Sequence, residues 1–328
     1  MALDKEPVCD LCEGHKSHPW RVACGPGGKR YTLRRCASCD LVFLYPQPDS
    51  DMIVDYYSDG EGATFHPLAR APQIRSLRDR VRTEIDRQIY FSGRIPASTS
   101  HLVRALGRIA AGYFRYSRRY QTPPAGTGRA LDIGCGDGKY LSWLRDVWGW
   151  EVHGVELSAA ATRLAREELN LDIRIGTLEE ARFPAEYFDL ITMWDALEHI
   201  SSPTQELREV AQVLKPNGTL RVVVPNIVSW PARIFKGAWA PLLPPEHLFH
   251  FSAHTLRAWL EKTGFQVERM ASVGSPHVAR SISRIGIGNA EKVSKATTCL
   301  TWAMWPADAL LNLMHIRGSL FASARRNL

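Results

Sequence analysis

The stretch Ala130–Leu141, ALDIGCGDGKYL, runs from an apolar segment through Gly134, Gly136 and Gly138 into a helical pattern that starts near Lys139. A chain turning sharply from strand to helix needs residues that tolerate positive φ and carry no side chain where a ligand lies against the backbone. Such a glycine turn is a weak signal alone. It gains weight from Glu156, which closes the next apolar strand, EVHGVE, at Glu151–Glu156. An acid at the end of that strand can accept hydrogen bonds from both hydroxyls of a ribose. The dinucleotide fingerprint spaces its glycines G-x-G-x-x-G, whereas residues 137–139 here read Asp-Gly-Lys, which argues against a nicotinamide cofactor.

Working outward, strand patterns at 129–133, 151–156, 172–175, 188–194, 219–224 and 266–273 alternate with helical ones. Alternation of this kind marks a parallel sheet covered by helices. The expected fold is therefore α/β, a doubly wound, mostly parallel, Rossmann-like sheet. Four regions are expected: a small cysteine module over 1–48, a basic helical linker over 49–125, the cofactor domain over 126–275, and a helical tail over 276–328. In the linker, Ile74, Leu77, Val81, Ile85 and Ile89 recur at helical spacing, and the linker ends in TPPAGTG at Thr122–Gly128. The tail pattern has Pro306 and Asp308 at a helix start, Leu310, Leu311 and Met314 on one face, and Gly318 as the stop.

The residues around the glycine turn resemble the first two motifs of the class I S-adenosylmethionine-dependent methyltransferases. FDLITMWDALEHI (188–200), LKPNGTLRVVVPN (214–226), HLFHFSAHTL (247–256) and TGFQVERM (263–270) follow in that family's order. The resemblance implies S-adenosylmethionine as cofactor. By it, Asp132 steadies the turn, Gly134, Gly136 and Gly138 approach the methionine portion, Glu156 holds the ribose, and Leu157 and Leu178 flank the adenine. The family often has an acid after its third strand, where GTLEE here offers Thr177, with Glu179 nearby.

Cys9 and Cys12 form one C-x-x-C pair, and Cys36 and Cys39 a second. Each short turn brings two sulfurs to one side, and four thiolates complete the closed tetrahedral shell of a structural zinc. Cys24, His15 and His18 lie near enough in sequence to exchange for one ligand. RRCASCDLVFLYPQP (34–48) resembles the zinc-ribbon start of bacterial methyltransferases acting on sugars, polysaccharides and natural products. Glycine commonly follows the second cysteine there; Asp40 stands in its place, a residue that enters the left-handed region more easily than most.

After the fourth strand, Asp195, Glu198 and His199 fall at i, i+3 and i+4 of an incipient helix, and PPEHLFHFS adds Glu246, His247 and His250. The layout resembles the ubiquinone-pathway O-methyltransferases, whose E-x-x-E-H is implicated in binding a divalent metal and activating a catechol. Three roles fit Asp195, Glu198, His199, His247 and His250: metal ligation at the acceptor site, general-base catalysis through His199, or capping and packing of a helix–loop junction. The acceptor expected from the resemblance is a small molecule, a glycan or a lipid-linked group. An RNA methyltransferase is the alternative, although the Asn/Asp-Pro-Pro-Tyr/Phe motif of base-amino methyltransferases is missing after the fourth strand. A silent relative using cofactor or zinc as an interaction platform is a third.

Charge adds to this picture. The net +7 is uneven: residues 66–120 hold twelve arginines against three acids, and 275–328 hold seven basic residues against two acids. Such segments either solvate outer helix faces or meet phosphates of RNA or an anionic lipid surface. The insert 227–245, IVSWPARIFKGAWAPLLPP, is expected to expose Trp230, Phe235 and Trp239 among Arg233 and Lys236, and Trp302 and Trp305 precede the tail helix. This mixture of aromatic and basic residues suits a lid or peripheral membrane contact. The uncharged run Ala296–Ala307 falls short of the roughly 20 residues a span requires, and MALDKEPVCD lacks a secretory pattern, so a cytoplasmic, reducing location without disulfides is expected.

Overall fold

A computed structural model describes residues 7–25, 28–48, 84, 100–105, 107–108, 119–274, 277–286, 310–311, 314 and 317–327. The helical pattern from Ile74 to Ile89, and Trp302, Trp305, Pro306 and Asp308 in the tail, lie outside the described residues.

The described strands are β1 (Ser17–Cys24), β2 (Arg30–Cys36), β3 (Val42–Leu44), β4 (Arg129–Ile133), β5 (Glu151–Glu156), β6 (Asp172–Ile175), β7 (Phe188–Trp194), β8 (Leu214–Pro225), β9 (Phe249–His250), β10 (Phe265–Val273) and β11 (Ser319–Arg326). The helices used below are α1 (Lys139–Trp148), α2 (Ala159–Arg163), α3 (Leu178–Ala181), α4 (Pro203–Val213), α5 (Trp230–Phe235), α6 (Ala253–Lys262) and α7 (Val278–Gly286). Seven strands hydrogen-bond in the order β10-β11-β8-β7-β4-β5-β6. β4 runs parallel to both β5 and β7, and β5 parallel to β6, while β11 is antiparallel to both β8 and β10. The mostly parallel, doubly wound sheet expected from the alternation is present, and all six expected strands fall within it.

By its contacts the chain divides into two compact units, one of Val54–Trp194 and Val213–Gly218, the other of Met1–Ile53, Asp195–Gln212 and Thr219–Leu328. In the first, Leu141 and Leu144 of α1 pack with Ala130, Val152, Ile173 and Leu190 in one buried cluster. α1 is bounded by Gly138 and Gly149, both left-handed, and the Gly149 N–H returns to the Arg145 and Leu144 carbonyls. Those bonds satisfy helix-end carbonyls that have no partner within the helix.

The second unit departs from the expected domain plan. β1, β2 and β3 do not close at residue 48 as a separate module, because β9 completes their four-stranded sheet, with Val42 opposite His250 and Phe43 opposite Phe249. Pairing with β9 covers the edge that β3 would otherwise expose. The tail also differs. Leu310 and Leu311 are helical, but Ser319–Arg326 is a strand, and its first six residues are buried. With both faces covered, SLFASA shows neither alternation nor β-branched enrichment, so nothing in its pattern announces a strand.

Candidate functional site

The glycine turn and its acid belong to the first unit. Gly134, Gly136 and Gly138 all take positive φ, at 73°, 53° and 71°. The Gly134 and Cys135 N–H groups donate to the Val155 carbonyl, and the Gly136 N–H donates to Glu156 Oε2 at 3.0 Å. Ser158 N–H donates to Glu156 Oε1 at 2.9 Å. Glu156 is therefore pinned between the turn and the start of the following helix. Gly138 has a packing role: a Cβ there would lie 2.7 Å from both the Ala165 Cβ and a Leu171 methyl. Only a residue without a side chain fits that close approach.

Asp132 sits in β4 opposite Thr192 of β7, whose hydroxyl donates to Asp132 Oδ1 at 2.6 Å. Burial pushes the Asp132 carboxyl up to about 7 despite that bond, and the Glu156 charge adds to the rise. Burial raises Glu156 too, opposed by the Ser158 and Gly136 N–H groups. Two buried carboxyl groups, one of them raised further by the charge of the other, form an environment suited to a cationic ligand. S-adenosylmethionine, with its sulfonium and ammonium groups, fits that requirement. Leu157 is exposed beside Glu156, and Leu178 is buried at the start of α3. Thr177 caps α3, with its side chain and backbone bonded reciprocally to Glu180, so this acid is occupied locally and Glu179 stands exposed. An aromatic group that sequence reasoning missed lies at the ends of β7 and α1: Trp194 meets Tyr140 edge-on at 5.3 Å and Tyr120 at 5.9 Å.

The second unit holds the acids and histidines that follow the fourth parallel-type strand. The expected single helical face does not form. Only Leu197–His199 is helical, as one tight 3-10 turn, and Asp195 precedes it at φ 52° and exposed. Glu198, His199 and His247 instead converge, their ligand-capable atoms all within 4.8 Å of one another. The His199 and His247 rings meet edge to face at 4.5 Å, and His250 lies 6.4 Å from His247. Asp195 stays outside this group, although its charge joins burial in lifting Glu198 well above the usual carboxylate range. Burial pulls His199 down to about 4 and His250 to about 3, and both it and the neighbouring histidines lower His247.

Glu198 is 0% exposed, and neither of its oxygens has a hydrogen-bond partner among the described residues. The same is true of His247 Nδ1 and of both His250 ring nitrogens. Leaving a buried polar atom unpaired costs about 1–3 kcal/mol, more for a charged one, so these atoms are ones a bound group could satisfy. A carboxylate and two imidazoles form a donor set that suits a divalent cation.

The cysteines also converge. Cys9, Cys12, Cys36 and Cys39 have sulfurs within 4.8 Å of one another, with Cys9–Cys39 and Cys12–Cys36 at 3.5 Å. Tetrahedral zinc with bonds of about 2.3 Å needs sulfurs about 3.8 Å apart, so the set fits that ion. Both knuckles use one backbone pattern. Cys9 N–H donates to Gly14 O and Glu13 N–H to Cys9 O; Cys36 N–H donates to Leu41 O and Asp40 N–H to Cys36 O. Glu13 and Asp40 both take left-handed φ, 60° and 64°, as the position after the second cysteine requires. Cys24, His15 and His18 stand outside the sulfur group.

This sheet, with a glycine turn after β4 and an acid closing β5, defines a class I S-adenosylmethionine-dependent methyltransferase. The chain belongs to the methyltransferase-domain family, whose profile matches residues 104–269. It is 30% identical over 162 residues to a ubiquinone biosynthesis O-methyltransferase of Xanthomonas axonopodis pv. citri, covering 46% of this chain and 67% of that protein. It is 28% identical over 155 residues to a ubiquinone/menaquinone biosynthesis C-methyltransferase of Laribacter hongkongensis, covering 44% and 59%. The chain thus spans about three fifths to two thirds of the length of these curated relatives. Among solved structures, the complex of the Haloferax volcanii Trm112 methyltransferase activator with a putative methyltransferase is similar at a TM-score of 0.48 and 17% identity, over 67% of this chain and 93% of that one.

Proposed function

We propose that the chain methylates an oxygen of a small-molecule, glycan or lipid-linked acceptor, with Glu198, His199 and His247 as the acceptor-side groups. The observation that carries this reading is the buried, unsatisfied Glu198 carboxylate within reach of two imidazoles. Asp132 and Glu156 hold the cofactor, whose sulfonium supplies an electrophilic methyl. Methyl transfer is an in-line displacement, so most of the acceleration comes from holding acceptor and methyl about 3–3.5 Å apart and aligned. A hydroxyl acceptor must also lose its proton. His199, kept neutral by burial, takes it on this reading. Were Glu198, His199 and His247 to hold a divalent cation instead, that ion would make the hydroxyl more acidic and the proton would leave to a base other than His199.

The reading extends to where the acceptor is met. Val228, Trp230 and Ile234 are exposed on and beside α5 together with Arg233 and Lys236, whereas Trp239, expected beside them, is fully buried and Phe235 half-buried; no acidic residue occurs from Asn226 to Pro245. Arg21 ties β1 to this surface by donating to the Ala232 carbonyl. Among the described residues no helix is long and apolar enough to cross a membrane. Peripheral contact from the cytoplasmic side is the mode this patch supports, with interfacial aromatic and basic residues meeting anionic lipid.

The decisive experiment is transfer of tritiated methyl from labelled cofactor into cell extract separated into lipid, glycan, small-molecule and RNA fractions. Label should enter a non-nucleic-acid fraction, as an alkali-stable ether or an ester, and vanish with Glu198→Gln and His199→Ala. Label in RNA, or carbon-bound methyl, would overturn the O-methylation reading.

A further inference from the structure

The two cysteine knuckles are joined by hydrogen bonds to the backbone that carries the acid–histidine cluster. Asp10, inside the first knuckle, accepts the Thr204 N–H on its carboxylate at 3.1 Å, and its carbonyl accepts the Thr204 hydroxyl at 3.0 Å. Thr204 is the second residue of α4, where backbone N–H groups have no partner within the helix. Asp10 therefore caps α4 from a segment far away in the chain. The Thr204 hydroxyl oxygen also accepts Trp259 Nε1 of α6 at 2.7 Å. From α6, Lys262 donates to the Leu11 carbonyl at 2.8 Å and to the Glu13 carboxylate at 3.0 Å.

The second knuckle is joined in another way. β3 follows it directly, and Leu44 N–H donates to the Leu248 carbonyl at 2.8 Å, while Leu248 N–H donates to the Glu198 carbonyl at 2.8 Å. One chain of backbone bonds thus links the knuckle strand, the His247–His250 segment and the turn holding Glu198 and His199. α4 begins only a few residues after His199.

We infer that the four-cysteine site positions the acid–histidine cluster, with Asp10 and Lys262 as positioning residues. This rests on zinc filling the cysteine site and on the acceptor-side reading of the cluster given above. Closure of the knuckle around zinc fixes the Asp10 carboxylate and the Asp10 and Leu11 carbonyls where α4 and α6 need them. Opening it frees the start of α4 and the β3–β9 edge, and with them the backbone under Glu198 and His247. Asp132, Gly136 and Glu156 lie in the other compact unit and share none of these bonds.

The test is hydrogen–deuterium exchange on the full chain, with and without zinc removal by a chelator, alongside calorimetry with S-adenosylhomocysteine and elemental analysis. Chelation should speed amide exchange in 197–212 and 247–251 by about 10-fold or more, the scale of one lost charge-assisted cap. Residues 131–141 should keep their protection, and S-adenosylhomocysteine affinity should change less than about twofold on the same reasoning. Asp10→Ala should reproduce the exchange change with zinc retained, while Asp10→Asn, which keeps an acceptor oxygen, should restore most protection. Thr204→Val, which leaves the knuckle itself untouched, should give a weaker change of the same pattern. Faster exchange confined to 7–44, or failure of Asp10→Asn to rescue, would overturn the inference. If instead no methyl acceptor is found while the exchange pattern holds, the acceptor reading falls and the coupling stands.

Discussion

Gly136 donates its backbone N–H to the carboxylate of Glu156 at 3.0 Å, which ties the glycine turn to the end of the neighbouring strand. The acid is thereby oriented before any ligand arrives. Replacing Glu156 by Ala should weaken S-adenosylhomocysteine binding by about 10-fold or more, since charge-assisted bonds to a ribose contribute roughly 1.5–3 kcal/mol each at most. Glu156→Gln should fall between the two. Unchanged affinity by calorimetry would remove Glu156 from the cofactor site.

The Asp132 carboxyl, pushed up to about 7 by burial, predicts a pH-dependent stability of the cofactor-free protein. A carboxyl raised in the folded state binds more protons there than in the unfolded chain. Stability from this group is then present at low pH, declines as pH rises from about 4 towards 7, and stays lost above that range. Asp132→Asn removes the charge. Its melting temperature relative to the parent should rise between pH 5 and pH 7 and level off by about pH 8. A difference independent of pH would show that Asp132 ionises normally.

Zinc should be present at one ion per chain, released when Cys36 and Cys39 are both replaced by Ser. A structural site's metal-binding energy is folding energy, so circular dichroism should report loss of the β1–β3 region on release. Elemental analysis that finds no zinc in protein purified without chelator would refute the assignment.

The exposed α5 surface should bring the chain to vesicles containing anionic lipid and not to neutral ones. Attraction amounts to about 1 kcal/mol per basic residue near such a surface, and it should fade as salt screens it. Trp230→Ala combined with Ile234→Ser should reduce sedimentation with anionic vesicles. Equal partition to both vesicle types, or a salt-sensitive gel shift with bulk RNA and none with vesicles, would favour the nucleic-acid alternative.

Much of the fold and the cofactor loop was legible because the signals are local. Gly134, Gly136 and Gly138 sit on alternate turn positions that need positive φ, and all three adopt it. Asp40 was expected to accept the left-handed conformation, and its φ is 64°. The parallel strands announce themselves as apolar runs set between helical patterns. By contrast, Thr192 could not be recognised as the partner of Asp132, because their pairing depends on the register of two strands 60 residues apart. The grouping of His247 with Glu198 and His199, without Asp195, depends on a 3-10 turn where helical spacing predicted a longer face.

The class of fold, the glycine turn with its acid and the two cysteine pairs were all readable from the residues alone. Each of these follows from the conformational or donor chemistry of residues close together in the chain. That SLFASA in the tail is a strand between β8 and β10 emerges from the three-dimensional packing, since burial on both faces erases the alternation that would reveal it. From the same packing it emerges that Asp10 caps α4 and that β9 closes the cysteine module's sheet. Those relationships join segments some 200 residues apart, and a hydrogen bond between distant segments leaves no periodicity in either one.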